Sequence, residues 1–178
     1  MALARLLFRV LLILLILLVV IGLMLPSRAL VERSIEIDAS PETVFSQINN
    51  LRNFHAWSPW TAMDPDTHYG FEGPQAGVGA RMVWSNSQTD AGDGSMEIVR
   101  SEPPREVEAR FNFGGKGQGI ATFLLAPQAN GHTTVTWRFE TDFGWDLFGR
   151  YLGLMFDGMI GMTYAKGLQT LKQRVEAM

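Results

Sequence analysis

The side chains best suited to chemistry in this chain are a carboxylate, Asp157, a phenol, Tyr164, and an imidazole, His55. About two helical turns separate the first two, so on a helix they share one side with Ile160 and Leu168. Asp157 has two readings there. At the start of the helix it caps free backbone amides; as part of the inward stripe it is a polar anchor at one end of the interior, with Tyr164 beyond it. His55 titrates near neutral pH and suits acid or base work, but beside Trp57 and Trp60 it reads as a packed or surface residue. General acid and base catalysis needs groups within reach of one reacting proton. A single helix-capping carboxylate is poorly equipped for that, so this set points to holding a molecule rather than converting it.

His55, Asp64, Asp66 and His68 carry nitrogen and oxygen donors of the kind zinc accepts. Their spacing fits no dense ligand motif, and Pro59 and Pro65 break any shared helical face, so neither a metal nor a cofactor is expected. The run Gly114-Gly115-Lys116-Gly117-Gln118-Gly119 lacks the Lys-Ser/Thr ending and following helix of a phosphate loop and reads as a hairpin turn. Phe54, Trp57 and Trp60 sit on a proline-interrupted segment, where they either gate an apolar interior or close one end of it.

The elements that must carry these residues follow from periodicity. Ile35 and Ile37 alternate with Glu36 and Asp38, predicting a first strand over 31–38 after a linker around 26–30. Ser40-Pro41-Glu42-Thr43 supplies a cap and a first-turn proline before Val44, Phe45 and Ile48, predicting a helix to about Asn50. A second short helix within 51–60 must stop before Pro59. Alternating runs near 80–85, 95–101, 106–113, 119–125 and 133–140 predict an antiparallel meander. Within it Val107, Ala109, Phe111 and Phe113 share one face, as do Thr133, Val135, Trp137 and Phe139, while Glu97, Glu108, Arg110 and Arg138 fall on the wet face. Asp146 is placed to cap a helix before Leu147 and Phe148. A longer helix over 157–176 turns Ile160, Tyr164, Leu168, Leu171 and Val175 toward the sheet. Gly153, Gly158, Gly161 and Gly167 within this region mark either close helix-to-sheet packing or room for a ligand. Met155, Met159 and Met162 lie on the opposite side and are expected to pack under a neighbouring loop.

The chain is 178 residues long, 47% hydrophobic and formally −3, but its two parts differ. Val10 to Leu25 is a run of 16 residues without a charge, and with Leu6 to Phe8 it approaches the roughly 20 residues needed to cross a bilayer. Its exit through Leu25-Pro26-Ser27-Arg28 lacks the small-residue pattern of a cleaved signal peptide, so residues 6–25 are expected to stay as a single-pass membrane anchor. Arg5 and Arg9 bias the N-terminus to the cytoplasm and the domain to the far side. Beyond residue 33 the chain has 11 basic and 17 acidic residues, near −6. That balance disfavours nucleic acid as a partner. The absence of cysteine excludes disulfides, thiolate nucleophiles and cysteine metal sites.

The opening Ile35-Glu36-Ile37-Asp38-Ala39-Ser40-Pro41-Glu42-Thr43-Val44-Phe45 resembles the SRPBCC superfamily. So do Trp57-Ser58-Pro59-Trp60 with Asp64-Pro65, Gly77-Val78-Gly79-Ala80, Thr133-Thr134-Val135-Thr136-Trp137 and Lys166-Gly167-Leu168. The likeness is strongest to its polyketide cyclase/dehydrase and lipid-transport branch. The resemblance implies an α+β helix-grip fold over residues 31–178, with a curved antiparallel sheet around a long C-terminal helix and a deep apolar cavity between them. Residues 1–30 form the added anchor and linker. The expected function is membrane-tethered binding of a hydrophobic small molecule or lipid; a cyclase or dehydratase acting on a hydrophobic substrate is the alternative. Combining the inward strand and helix faces with the segment bordering the entrance, the expected ligand-binding residues are Trp57, Trp60, Phe111, Phe113, Trp137, Asp157, Ile160, Tyr164 and Leu168.

Overall fold

The computed structural model describes residues 2–64, 66–86, 92–114 and 117–178. An apolar helix α1 (Ala2–Met24) leads into strand β1 (Arg28–Ile37), followed by three short helices, α2 (Pro41–Asn49), α3 (Leu51–Trp57) and α4 (Pro59–Met63). Six strands come next: β2 (His68–Glu72), β3 (Arg81–Ser85), β4 (Gly94–Glu102), β5 (Glu106–Asn112), β6 (Gln118–Pro127) and β7 (Thr133–Asp142). Helices α5 (Leu147–Gly153) and α6 (Phe156–Glu176) close the chain. The strands form one antiparallel sheet in the order β1-β7-β6-β5-β4-β3-β2. Among the described strands, β1–β7 is the one pairing of strands not consecutive in sequence, and it runs along ten residues of each, from Arg28 opposite Asp142 to Ile37 opposite Thr133. The helix-grip α+β architecture is the one expected.

Local chemistry explains the elements. Ser40 Oγ accepts the Thr43 amide at 3.4 Å and Pro41 takes the first helical position, a cap worth about 1 kcal/mol. Val44, Phe45 and Ile48 then face the core. Pro59 ends α3 and restarts the chain as α4, because the residue before a proline is excluded from helical geometry. Along β5 the residues Val107, Ala109 and Phe111 are buried, and along β7 so are Thr133, Val135, Trp137 and Phe139. The other sheet face is a solvated charge lattice in which Glu32 binds Arg138 at 2.6 Å and Arg100 binds Glu102 at 2.7 Å.

Four features differ from the sequence expectation. β1 starts at Arg28 rather than Val31, because the far end of β7 gives Arg28, Ala29 and Leu30 partners in Asp142, Thr141 and Glu140. β2 was not anticipated; Tyr69 and Phe71 alternate with polar neighbours and Gly70, but this five-residue run is recognisable as a strand only by its pairing with β3. Asp146 occupies the cap position of α5 without its side chain capping. The methionines of α6 are not covered by a loop: Met155, Met159 and Met162 are exposed. Of the expected Gly-rich turn, Gly115 and Lys116 lie outside the described residues, as does Pro65 of the loop after α4. On either side of the turn, Phe113 donates its amide to Gly117 O at 3.0 Å.

Candidate functional site

Between the inner face of the sheet, helix α4 and the first turns of α6 lies a cavity of about 600 Å³. Its wall is mostly aromatic. Trp60 and Met63 come from α4, Met82 and Trp84 from β3, Phe111 and Phe113 from β5 and its end, and Phe139 from β7. Phe143, Phe156, Ile160 and Tyr164 close the α6 side. The alternation of β5 and β7 aims these rings inward, and they support one another: Phe111 stacks with Phe113 at 5.8 Å between centroids and meets Phe139 edge-on at 5.8 Å. Gly119 permits this, since a side chain there would collide with the Phe139 ring.

The nine expected binding residues divide by position. Trp60, Phe111, Phe113, Ile160 and Tyr164 line the cavity. Trp57, Trp137 and Leu168 are fully buried behind it. Trp57 is a core strut, donating Nε1–H to Gln47 O at 3.0 Å; of the two tryptophans expected to gate or close the interior, only Trp60 reaches the cavity. Trp137 sits between Phe123, stacked at 5.0 Å, and Tyr164 at 4.1 Å. Its Nε1–H has no partner among the described residues.

Asp157 is placed differently from both of its sequence readings. It is the second residue of α6, its side chain is 58% exposed, and it accepts two hydrogen bonds from Arg33, at 2.7 and 3.0 Å. Helix α6 runs along β1, and Arg33 of that strand meets the stripe at Asp157, whereas Tyr164 and Leu168 on the same side are buried. The Arg33 guanidinium holds the Asp157 carboxyl below its ordinary range, and the carboxylate in turn raises the arginine. Three of the four helix glycines serve packing: Gly161 lies under Arg33, Gly167 against Pro59 and Trp137, and Gly153 against Phe143; Gly158 faces open space.

Polar groups gather at the α4 end of the cavity. Asn86 donates its side-chain amide to Asp64, at 3.0 and 3.1 Å, and to Thr67 Oγ1 at 3.1 Å. Asp64, Thr67, Tyr69 and Ser58 are in the wall, and burial raises the Tyr69 phenol. Gln118, Thr141 and Tyr164 add polar groups elsewhere in the wall; burial pushes the Tyr164 phenol far up, so it stays neutral and can donate a hydrogen bond. His55 lies outside the wall, with Thr61 Oγ1 3.1 Å from its Nδ1 and the Tyr69 ring tilted against it at 4.4 Å between centroids, and burial lowers its pKa. No cluster of three metal-binding side chains occurs among the described residues.

Sequence reasoning missed part of the wall. Met82 and Trp84 alternate on β3 and Phe139 shares the face of Trp137, so the same periodicity that found Phe111 identifies them. Phe143 and Phe156 lie outside any strand pattern, and Asp64, Thr67 and Asn86 meet only because the loop after α4 folds against the end of β3.

Solved structures with this architecture include a Mesorhizobium loti protein, 18% identical, covering 84% of this chain and 98% of its own, with a TM-score of 0.59. Norcoclaurine synthase from Thalictrum flavum, in complex with dopamine and hydroxybenzaldehyde, is 12% identical, covering 87% of this chain and 90% of its own, with a TM-score of 0.60. These likenesses concern the fold. No curated protein matches the chain. Residues 28–176, from the first strand to the end of α6, match the family described as polyketide cyclase / dehydrase and lipid transport. The chain belongs to that family.

Proposed function

We propose that this domain binds an apolar small molecule or lipid in the aromatic cavity and is tethered to a membrane by α1. The observation that carries the reading is the cavity itself: about 600 Å³ walled by aromatic rings, with Tyr164 and a polar cluster at its margins. That size and lining suit a small ligand held by apolar contact and oriented by a few hydrogen bonds. The family's lipid-transport description and the aromatic ligands of norcoclaurine synthase in the same fold support it. The tether rests on α1, whose segment Leu3–Met24 is long and apolar enough to cross a membrane, a test that signal sequences also pass. Apart from Gly22, its described residues from Leu3 to Met24 are exposed. Arg5 and Arg9 in its first turns support a cytoplasmic N-terminus with the domain on the far side.

Conversion of a hydrophobic substrate, as by a cyclase or dehydratase, has one observation in its favour: Asp64 and Tyr164 both line the cavity. The Asp64 carboxylate is engaged by the Asn86 amide at 3.0 and 3.1 Å, and the mostly aromatic wall favours holding over turnover. The test uses the full chain in nanodiscs, incubated with apolar extracts of its host and analysed by mass spectrometry. Recovery of an unaltered bound molecule is the expected result. Chemical conversion lost in Tyr164→Phe or Asp64→Asn, in variants that still bind, makes it an enzyme; no bound molecule and no uptake of an apolar fluorescent probe sinks the binding reading.

A further inference from the structure

Helix α5 and the first turns of α6 present an apolar surface that the domain leaves uncovered. Trp145 is 84% exposed, Phe148 72%, Met159 60% and Met162 69%, and Leu152 and Met155 are exposed with them. The spacing makes this one surface. Phe148, Leu152 and Met155 follow at four and three residues, and Met159 and Met162 continue the stripe at the same intervals on α6. Contiguous apolar patches of this kind mark a docking site.

The position of the stripe names what covers it. Helix α5 is clamped to the last turns of α1. Tyr151 Oη donates to Leu18 O at 2.6 Å, and Arg150 Nη1 donates to Leu23 O at 3.0 Å and Leu25 O at 3.2 Å, holding the helix C-terminus. Gly22 allows the contact, since Tyr151 and Leu147 pack on its bare backbone. From Leu18 to Leu25 is about 10 Å along a helix at 1.5 Å per residue, which matches the depth to which amphipathic helices settle into a bilayer interface, about 5–10 Å. A helix fastened beside those turns lies at the interface whenever α1 spans. The exposed tryptophan suits that level. The same end of α6 also borders the cavity, with Phe156 and Ile160 facing in while Met155, Met159 and Met162 face out.

We propose that the Trp145–Met162 face is a membrane-docking surface that seats the domain on the bilayer and brings the α6 end of the cavity to the lipid interface. This rests on the tether reading. Arg150 is the only basic residue within the face, and its guanidinium is committed to backbone carbonyls, so docking works by apolar insertion, requires no anionic lipid and is insensitive to salt.

The absence of native cysteine allows single-cysteine labelling of the full chain in phosphatidylcholine nanodiscs. A polarity-sensitive fluorophore is placed at Leu14 in α1, at Phe148, at Met159, or at Asn130 in the exposed β6–β7 turn at the opposite end of the sheet. Lipid-borne spin labels are expected to quench Leu14, Phe148 and Met159 at least several-fold more than Asn130, unchanged by high salt, with Phe148 and Met159 quenched best by headgroup-proximal labels. Quenching at Leu14 with Phe148 and Met159 as aqueous as Asn130 sinks the docking surface while leaving the tether. An unquenched Leu14 sinks the tether and the docking together. A Phe148→Ser/Met155→Ser/Met159→Ser variant, altered only at exposed positions, is expected to shift a label at Leu152 to an aqueous spectrum; an unchanged label overturns the proposal.

Discussion

Arg33 and Asp157, 124 residues apart, face each other through two hydrogen bonds of 2.7 and 3.0 Å and tie the edge strand β1 to the first turn of α6. Arg33 is on the helix-facing side of β1, and Gly161 leaves the groove in which its guanidinium lies. The carboxylate also stands near the positive end of the α6 dipole. Strand and helix are therefore joined outside the cavity, and the acid expected from the sequence to bind ligand is a structural clamp.

Asp157→Asn is accordingly expected to leave apolar-probe affinity unchanged within twofold and to lower the thermal midpoint slightly. The sign of its pH dependence follows from its depressed pKa. The contribution is full above the unfolded value of 3.8 and is lost as pH falls through the lower folded value. Thermal unfolding at pH 7 and pH 3 reads this: the gap between wild type and variant narrows at the lower pH. A large loss of probe binding in a folded variant contradicts the clamp.

Filling the cavity separates binding from folding. Ile160→Trp adds a ring beside half-buried positions in the wall and is expected to reduce uptake of an apolar fluorescent probe at least tenfold while the domain stays folded by circular dichroism. Phe111→Ala removes a buried ring and is expected to cost about 3–5 kcal/mol in denaturant unfolding. Full probe affinity in the folded tryptophan variant argues that the ligand sits elsewhere.

Two glycines of α6 respond oppositely to alanine. At Gly167 a Cβ would lie 2.9 Å from both Pro59 and Trp137, and overpacking of about 1–3 kcal/mol outweighs the helix gain of about 1 kcal/mol. At Gly158 the new methyl meets open space, so the gain stands. Chemical denaturation of both variants is expected to show Gly167→Ala less stable and Gly158→Ala more stable than wild type.

His55 makes stability fall on mild acidification. Burial lowers its pKa below 6.5, so the unfolded chain takes up a proton that the folded chain resists. Its contribution is whole above 6.5 and declines as pH drops through that value. Denaturation midpoints at pH 7.5 and 5.5 are expected to differ less in His55→Gln than in wild type; identical differences assign the pH effect to other groups.

What short-range pattern controls was readable from residues alone. Period-two alternation identified Phe111, Phe113 and Trp137 as inward, and the Ser40-Pro41 start located α2, because strand pleat and helix capping are local properties of the backbone. The apolar character of α1 is equally local, being composition alone. Tertiary structure decided the rest. Alternation assigns a side chain to a face but not to the part of that face left open, so Trp57, Trp137 and Leu168 became core while Trp84, Phe143 and Phe156 became wall. A helical wheel likewise gives a direction about an axis but not what lies in that direction. Asp157 met Arg33 of the edge strand where Tyr164, on the same side, met the cavity, because the long Arg33 side chain reaches over Gly161 to the first turn of α6.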